Sequence, residues 1–271
     1  MSAVRIGIVG VAGRMGQAIV REIAASKGAA VLAGGIEQPG NPALGKDPGM
    51  LAGVGATGVS ITKDAAAMFG NVDAVIDFSP PSAVGRHAAL AAQGKAGYIV
   101  GTTGLEAEHF DALAKASHHC TVVQSYNMSL GVNILAGLTR QVAAMLGDDW
   151  DIEIVEMHHR MKVDAPSGTA IMFGEMAALG RGQPLDKISD RGRDGITGER
   201  KRGDIGFAAL RGGNVAGEHT VIFAADNERI ELTHKATDRS IFARGAVRAA
   251  VWTKGKLPGL YRMADVLGLN G

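Results

Sequence analysis

The residues best suited to chemistry lie together in one short segment, Glu156 to Ala170. It reads Glu-Met-His-His-Arg-Met-Lys-Val-Asp-Ala-Pro-Ser-Gly-Thr-Ala. His158 and His159 precede Lys162, so imidazoles that exchange protons near neutral pH lie beside a fixed positive charge. That combination is suited to an anionic substrate whose reaction requires a proton transfer.

The end of the same segment predicts an anion site at the start of a helix. Pro166 is tolerated in a first helical turn, and the N–H groups of that turn attract a carboxylate. Two adjacent histidines alone would more often belong to an ordinary surface loop. Their combination with Lys162 and a helix start favours a catalytic site.

A glycine-rich turn near the N-terminus predicts dinucleotide binding. Gly10-Val11-Ala12-Gly13-Arg14-Met15-Gly16 follows an apolar run and leads into a helix. Its spacing, G-x-x-G-x-x-G, departs from the common G-x-G-x-x-G, and such turns also occur for packing alone. Glu37 follows Gly16 by 21 residues, the position at which an acid hydrogen-bonds the adenine ribose.

The surrounding elements predict an α/β Rossmann-type parallel sheet domain followed by an α+β domain with a mainly antiparallel sheet. Strands and helices alternate up to about residue 126, which is typical of a doubly wound sheet. After residue 128 the pattern changes to a long helix (Leu130–Leu146), a strand (Asp151–Met157), a helix (Pro166–Leu179) and a succession of strands (Ile205–Arg211, Glu218–Ala224, Arg229–Lys235). The alternation in the last strand predicts a sheet buried on one face. Gly34–Gly58 is predicted to be loop, and Phe242–Leu267 to be helical and to pack back on the first domain.

Composition excludes several classes of function. Lys and Arg total 28 against 27 Asp and Glu in 271 residues, so the net charge of +1 gives no broad field for nucleic acid or an anionic membrane. Apolar stretches are too short to span a bilayer, and no secretory signal is evident at the N-terminus. The single cysteine, Cys120, cannot form an internal disulfide. A cytoplasmic protein is predicted.

The segment from Glu156 to Ala170 resembles the E-x-H-H-x-x-K-x-D-A-P-S-G-T-A signature of the dihydrodipicolinate reductases. The similarity extends along nearly the whole chain. It includes Gly101-Thr102-Thr103-Gly104, Asn127-Met128-Ser129-Leu130-Gly131-Val132-Asn133, Thr197-Gly198-Glu199-Arg200, Gly217-Glu218-His219-Thr220 and Thr233-His234-Lys235-Ala236.

This resemblance implies an organisation and an activity. It implies a dinucleotide-binding domain at 1–128, completed by 239–271, and a substrate-binding and tetramerisation domain at 129–238 that assembles a homotetramer. It implies reduction of 4-hydroxy-tetrahydrodipicolinate to tetrahydrodipicolinate, with loss of water, in diaminopimelate and lysine biosynthesis. A hydride is transferred to the conjugated imine that forms when the hydroxyl leaves, and a proton returns to the ring.

The resemblance also implies roles for single residues. His158 matches the proposed acid/base, and Lys162 matches the proposed proton donor, which would also hold a carboxylate. The substrate contacts are His159, Ser167, Gly168 and Thr169. The cofactor contacts are Gly10, Val11, Ala12, Gly13, Arg14, Met15, Glu37, Gly101, Thr102, Thr103, Ser125, Tyr126, Asn127 and Met128. No metal ligand is implied.

The residues after Glu37 predict which nicotinamide is used. Members of the family that favour NADPH resemble Glu-Arg here, whereas this chain reads Glu37-Gln38-Pro39. Without that arginine, a 2′-phosphate would face the charge of Glu37, so we expect NADH to be favoured or both cofactors to be accepted. Lys46 or Arg14 would have to reach the phosphate for dual use.

Other interpretations remain open at this point. Another Rossmann oxidoreductase, such as a semialdehyde dehydrogenase, would need a nucleophilic thiol, and Cys120 is the sole candidate. A non-catalytic dinucleotide sensor is a different class, which the intact His158 and Lys162 disfavour. His118-His119-Cys120 lacks partners at zinc spacing, so a metal site is disfavoured. The basic, glycine-rich loop at 190–204 is interpreted as a solvated loop or a flap over an anionic substrate.

Overall fold

A computed structural model describes residues 2–269 of the chain as two compact units. The first unit comprises the residues up to Leu130 together with those from Ser240 onward, and the second is Gly131–Arg239. The chain therefore leaves the first unit once, completes the second, and returns.

Eleven strands and ten helices are described in chain order. The strands are β1 (Val4–Val9), β2 (Ala30–Ile36), β3 (Ala74–Asp77), β4 (Gly97–Val100), β5 (Thr121–Gln124), β6 (Asp151–His158), β7 (Ser189–Asp190), β8 (Ile205–Arg211), β9 (Gly217–Ala224), β10 (Arg229–Ala236) and β11 (Gly259–Tyr261). The helices are α1 (Arg14–Ala24), α2 (Pro48–Ala52), α3 (Ala65–Gly70), α4 (Pro81–Gly94), α5 (Ala107–Ser117), α6 (Leu130–Met145), α7 (Gly168–Gly180), α8 (Leu185–Ile188), α9 (Ser240–Trp252) and α10 (Met263–Leu267).

The first unit is built on a six-stranded sheet in the order β11-β5-β4-β3-β1-β2. Every neighbouring pair is parallel. The strand order reverses at β1, which has β2 on one side and β3 on the other, and ligands of such sheets bind at the carboxyl ends beside this reversal. The predicted Rossmann-type parallel sheet is confirmed.

Both faces of this sheet are buried, which explains the continuous apolar runs of its strands. Ile8 and Ile76 belong to the core that also contains α1 and α9 residues, whereas Val75 and Tyr98 belong to the core with α4 and α5. Adjacent residues of one strand, such as Val75 and Ile76, therefore lie in different cores. Each fully buried aliphatic side chain contributes about 1.5–3 kcal/mol relative to exposure.

The second unit has a five-stranded sheet in the order β10-β9-β6-β8-β7. Strand β9 is antiparallel to both β6 and β10, and β8 is parallel to both β6 and β7. The long pairings of β9 are antiparallel, so the predicted α+β unit with a mainly antiparallel sheet is confirmed. Burial alternates strictly along β6: Ile152 and Ile154 are buried in the core that contains α7 residues, and Glu156 and His158 lie on the same face.

The prediction that Phe242–Leu267 is helical throughout is wrong in its centre. Helix α9 ends at Trp252, and β11 then pairs in parallel with β5 as an edge strand. Gly255 has a positive φ of 77°, which lets the chain leave the helix at little steric cost. A strand of three residues is too short for a readable alternation, so the sequence pattern missed it.

The predicted loop Gly34–Gly58 also needs correction, because Pro48–Ala52 within it forms the short helix α2, which is capped by the Asp47 carboxylate. The first residues of that range belong to β2, and the apolar run Ala30–Ile36 predicts this strand with the bounds that the structure gives it.

Candidate functional site

The candidate catalytic segment begins where β6 ends. His158 is the last residue of that strand, and a turn held by hydrogen bonds from His159 N–H to Val215 C=O (2.9 Å) and Lys162 N–H to His159 C=O (3.1 Å) follows. Helix α7 then starts at Gly168 with Ser167 as its N-cap, whose hydroxyl accepts from Ala170 N–H at 3.2 Å. Pro166 therefore precedes the cap and does not occupy the first helical turn as predicted.

Glu156 is the centre of the polar network in this unit. It is 1% exposed, and its carboxylate accepts from His158 Nδ1 (2.6 Å), from Ser167 N–H (3.0 Å) and from both terminal nitrogens of Arg211 (2.8 and 2.9 Å). Burial acts to raise the pKa of Glu156, but the hydrogen bonds from Arg211, His158 and Ser167 outweigh it and hold the pKa below its ordinary value. Glu156 is therefore a carboxylate at neutral pH.

His158 has one ring nitrogen committed and one available. Because Nδ1 donates to Glu156, the proton of the neutral ring lies on Nδ1 and Nε2 is left as the acceptor. Nε2 faces Gly217, where an added Cβ would lie only 3.0 Å from it. Burial lowers the pKa of His158 and outweighs the opposite effect of Glu156, so the resting imidazole is mainly neutral and its conjugate acid gives up a proton readily.

Lys162 is close to this pair but has a carboxylate partner of its own. Its Nζ contacts the two carboxylate oxygens of Asp164 at 2.7 and 2.8 Å. The Asp164 side chain is 55% exposed, and the hydrogen bond from Lys162 holds the pKa of Asp164 below its ordinary value. Exposed ion pairs of this kind contribute little, so an incoming carboxylate can compete with Asp164 for the ammonium.

The predicted substrate residues differ in what they still offer a ligand. The ring Nδ1 of His159 is buried without a hydrogen-bond partner among the described residues. The backbone N–H of Ser167 is already used by Glu156, and its side chain is 2% exposed. Gly168 and Thr169 are the first two residues of α7, the end at which the helix dipole favours a carboxylate. The carboxylate site predicted for Ser167–Thr169 therefore reduces to the helix start itself.

Two further residues of this network were not predicted as site residues. Arg211 on β8 lies opposite His158 in the strand register. His219 on β9 contacts Ser167 Oγ through Nε2 at 3.1 Å and packs edge-on against His158, with ring centroids 5.1 Å apart. His219 was quoted within a family segment without a role. No sequence-local signal identifies either residue, because they follow His158 by 53 and 61 positions.

The glycine turn of the first unit has the geometry of a phosphate cradle. Gly10 has a positive φ of 68°, and Gly13 N–H closes the turn on Gly10 C=O at 3.0 Å. A Cβ on Gly16 would lie 2.3 Å from Gly10 O, so the turn packs directly against α1. No side chain caps α1 and its first turn holds no acidic residue, which leaves the helix start suited to an anion.

Glu37 follows β2 and is tied to this turn. Its Oε1 accepts from Ala12 N–H at 2.9 Å, and its Oε2 accepts from Asn41 Nδ2 at 2.9 Å. The carboxylate thus has a set orientation beside the glycine turn.

The remaining predicted cofactor residues follow β4 and β5, at the same edge of the sheet. Thr102 Oγ1 donates to Ser79 C=O at 2.8 Å, and a Cβ on Gly101 would lie 2.2 Å from the ring of Phe78. Ser125 Oγ donates to Asn127 C=O at 2.7 Å, and Tyr126 is 54% exposed. The four predicted cofactor segments therefore follow the carboxyl ends of β1, β2, β4 and β5.

The geometry weakens two of the earlier interpretations: a semialdehyde dehydrogenase with a nucleophilic thiol, and a flap at 190–204 over an anionic substrate. Cys120 is buried, and burial raises the pKa of its thiol to about 11, so it is not a thiolate nucleophile at neutral pH. In the loop at 190–204, Arg193 and Arg200 pair with Glu153 on β6, and Arg200 also pairs with Asp151. These arginines are neutralised within the chain.

No helix within residues 2–269 is long and apolar enough to cross a membrane.

Comparisons with known proteins cover almost the whole chain. A family model described as dihydrodipicolinate reductase, N-terminus, matches residues 4–128, and one described as dihydrodipicolinate reductase, C-terminus, matches residues 131–267. A protein of Parvibaculum lavamentivorans named 4-hydroxy-tetrahydrodipicolinate reductase is 57% identical over 98% of both chains. One of the same name from Rhodopseudomonas palustris is 55% identical over 99% of both.

Solved structures support the same fold. A dipicolinate-bound dihydrodipicolinate reductase from Paenisporosarcina sp. TG-14 superposes with a TM-score of 0.76 at 21% identity, over 97% of this chain and 98% of that one. A probable dehydrogenase from Thermotoga maritima gives a TM-score of 0.60 at 13% identity, over 98% and 93%. At such low identity these similarities establish the architecture alone.

Proposed function

The chain belongs to the dihydrodipicolinate reductase family, and we propose that it reduces 4-hydroxy-tetrahydrodipicolinate to tetrahydrodipicolinate. The reaction releases water and belongs to diaminopimelate and lysine biosynthesis. The observation that carries the proposal is the buried Glu156–His158 pair beside Lys162 and the start of α7. It combines a proton-transferring group with positive potential for a dicarboxylate.

The first unit fits a nicotinamide dinucleotide. The Gly10–Gly16 turn packs so closely on α1 that a Cβ on Gly16 would clash with Gly10 O, and the carboxylate of Glu37 lies at the end of β2, where ribose hydroxyls are bound. We assign the pyrophosphate to the turn and the adenine ribose to Glu37. We assign the nicotinamide end to the segments around Gly101–Thr103 and Ser125–Met128. The bound cofactor supplies the hydride.

The side chains of the second unit perform the remaining tasks. The start of α7 at Gly168 and Thr169 holds one carboxylate of the substrate, and the ammonium of Lys162 holds the other or passes on a proton. His159 completes the substrate contacts. Together these anchors orient the ring, which converts an encounter into a productive geometry.

His158 returns the proton that the reaction consumes. Nε2, which carries no proton in the resting ring, first takes one up from solvent, and this proton then passes to the ring carbon next to the reduced position while Nδ1 stays hydrogen-bonded to Glu156. Glu156 stabilises the imidazolium before this transfer and holds the ring orientation throughout. Arg211 compensates the buried charge of Glu156, so the carboxylate does not take the proton from His158 permanently.

The experiment that tests this function couples the chain to the upstream synthase and follows the loss of reduced-nicotinamide absorbance. Consumption that depends on the synthase product supports the proposal. Consumption without the synthase would indicate another oxidoreductase, and binding of NADH without any consumption would indicate a dinucleotide sensor. The control omits only the synthase.

We propose further that NADH is favoured or that both cofactors are accepted. Glu37 already accepts two hydrogen bonds at 2.9 Å, and its charge would oppose a 2′-phosphate. Gln38 supplies no cation there, and a charge-assisted contact to phosphate is worth roughly 1.5–3 kcal/mol. Gln38→Arg should therefore raise kcat/KM for NADPH about tenfold relative to NADH. Gln38→Met is the matched control without charge, and a wild type that strongly prefers NADPH would contradict the argument.

The assembly is also a proposal. We assign dinucleotide binding to the first unit, substrate binding and tetramerisation to the second, and a cytoplasmic location to the homotetramer. Leu210, which is 50% exposed, lies opposite Met157 on the face of the sheet away from Glu156 and His158, and it supports an assembly surface on that face. Light scattering coupled to gel filtration checks the tetramer.

A further inference from the structure

His219 is a buried histidine that the proposed reaction does not use. It lies on β9 directly opposite Glu156 on β6 and His234 on β10, so the three side chains share one face of the sheet. It is 4% exposed. The groups that face it are His158 and Glu156 from β6, Lys162 from the following turn, His234 from β10, and Ser167 and Phe173 from the α7 region.

The hydrogen bond between His219 and Ser167 uses Nε2 of the ring. Nε2 lies 3.1 Å from Ser167 Oγ, whereas Nδ1 is buried without a hydrogen-bond partner among residues 2–269. Either the ring N–H or the serine O–H can supply the proton, so one hydrogen bond joins Nε2 to Oγ in both neutral tautomers. Ser167 is thus the hydrogen-bond partner that the structure gives to His219.

This bond completes the set of contacts that hold Ser167. Its hydroxyl oxygen accepts from Ala170 N–H and shares a hydrogen bond with His219 Nε2, while its backbone N–H donates to Glu156. Strand β6, strand β9 and helix α7 are thus joined at one residue. The first helical residue, Gly168, follows Ser167 directly.

We propose that His219 is a positioning residue that holds Ser167, and with it the carboxylate-binding start of α7, against the Glu156–His158 pair. The proposal rests on the proposed function, which assigns a substrate carboxylate to Gly168 and Thr169. His219 touches neither substrate nor cofactor in it. His219 affects catalysis indirectly, because it fixes the position of the start of α7.

The ring contacts of His219 favour the neutral form of its imidazole. Its ring packs edge-on against His158 at 5.1 Å and 76°, and against Phe173 at 5.7 Å. A positive charge there would oppose the proton that His158 must carry. Burial lowers the pKa of His219 to about 3, so the imidazole is neutral at pH 7.

The test compares two substitutions of His219 with one of its neighbour. His219→Phe keeps a ring between His158 and Phe173 but loses the bond to Ser167, and His219→Gln keeps a donor at the reach of Nε2. His234→Phe is the matched control, because His234 lies on the same face, opposite His219, and no hydrogen bond to Ser167 is described for it.

We expect His219→Phe to raise KM for the substrate about fivefold to tenfold while kcat falls less than about threefold. His219→Gln should recover most of this loss, and His234→Phe should match the wild type. Calorimetry with dipicolinate in the presence of NADH should show the same ratio of Kd values. An unchanged KM and Kd in His219→Phe, or a loss confined to kcat, would overturn the proposal.

Two outcomes keep this inference separate from the proposed function. If the wild type neither turns over the substrate nor binds dipicolinate, the proposed function fails. If the wild type turns over the substrate and binds dipicolinate, and His219→Phe has the same KM and Kd, only the assignment of His219 fails. Nitrogen NMR of histidine-labelled wild type needs no variant: a charged His219 at pH 7 overturns the proposal even if His219→Phe does not fold.

Discussion

The two units each contain a buried histidine bonded to a buried carboxylate, yet the two pairs differ in what surrounds them. In the first unit His87 Nδ1 lies 2.7 Å from Asp77, and in the second His158 Nδ1 lies 2.6 Å from Glu156. Asp77 is 0% exposed and Glu156 is 1% exposed. Bond length and burial therefore do not distinguish the pairs.

The carboxylate of the first pair accepts further hydrogen bonds from neighbouring residues of its own unit. Asp77 also accepts from Tyr98 OH (2.7 Å) and Ser79 N–H (2.8 Å), which ties β3 to α4 and β4. Burial opposes the charge of Asp77, but the bonds from His87 and Ser79 still hold its pKa below the ordinary value. Burial, reinforced by Asp77, raises the pKa of Tyr98 well above its usual range, so Tyr98 remains a donor. The pair serves to anchor the first sheet.

The surroundings of the second pair leave one nitrogen available. Arg211 compensates the charge of Glu156, Gly217 leaves space in front of His158 Nε2, and Lys162 and the start of α7 add positive potential. The second pair is thus the catalytic candidate, because Nε2 of its histidine lies beside a glycine and close to an anion site. Four experiments test this difference.

The largest effect is expected from removing each imidazole in turn. His158→Ala should lower kcat about 10²–10⁴-fold without changing the Kd for NADH, because general acid–base catalysis contributes that much. His87→Ala should instead lower the free energy of unfolding by about 3–5 kcal/mol, because the buried charge of Asp77 loses its imidazole partner. Steady-state kinetics and denaturant unfolding of both variants check the contrast. A large kcat loss in folded His87→Ala would remove the distinction.

The next largest effect is expected on the stability of the protein at acid pH, through His219, which packs beside the second pair. The pKa of His219 is lowered from 6.5 to about 3 on folding, so the unfolded chain binds more protons between these values. Its contribution to stability is complete above pH 6.5 and is lost as the pH falls, by about 2 kcal/mol at pH 5. His219→Phe should remove this slope. Denaturant unfolding from pH 7.5 to 5 measures the difference between the two proteins.

Blocking the open nitrogen should give a smaller, kinetic effect. A Cβ on Gly217 would lie 3.0 Å from His158 Nε2, and the φ of 153° at this position disfavours other residues. We expect Gly217→Ala to lower kcat about tenfold. Gly213→Ala is the matched control for backbone strain, because Gly213 also has a positive φ but no atom within 4 Å of an added Cβ. Equal losses in both variants would attribute the effect to strain.

The smallest effect on catalysis is expected from Tyr98→Phe, which removes one donor from the His87–Asp77 pair. A single buried hydrogen bond contributes about 1 kcal/mol, and more when its acceptor is charged. The free energy of unfolding should fall by about 1–3 kcal/mol while kcat and KM stay at wild-type values. A pH–rate profile that differs from that of the wild type would show that the His87–Asp77 pair affects the catalytic reaction.

Much of this molecule could be predicted from local patterns. Strands β2 and β8 begin and end where the sequence placed them, and the alternating β6 carries His158 on its buried face as its period requires. The three-residue strand β11 and the end of α9 were missed, because an edge strand that short has no period to read.

The sequence by itself determined the classes of the two sheets, the glycine turn with Glu37 at its expected distance, and the histidine–lysine segment. Only the tertiary structure decided what surrounds His158. Arg211 arrives through the pairing of β6 with β8, and Gly217 and His219 arrive through the pairing of β6 with β9. The register of two strands far apart in the chain depends on how their buried faces pack together, which no local pattern of residues specifies.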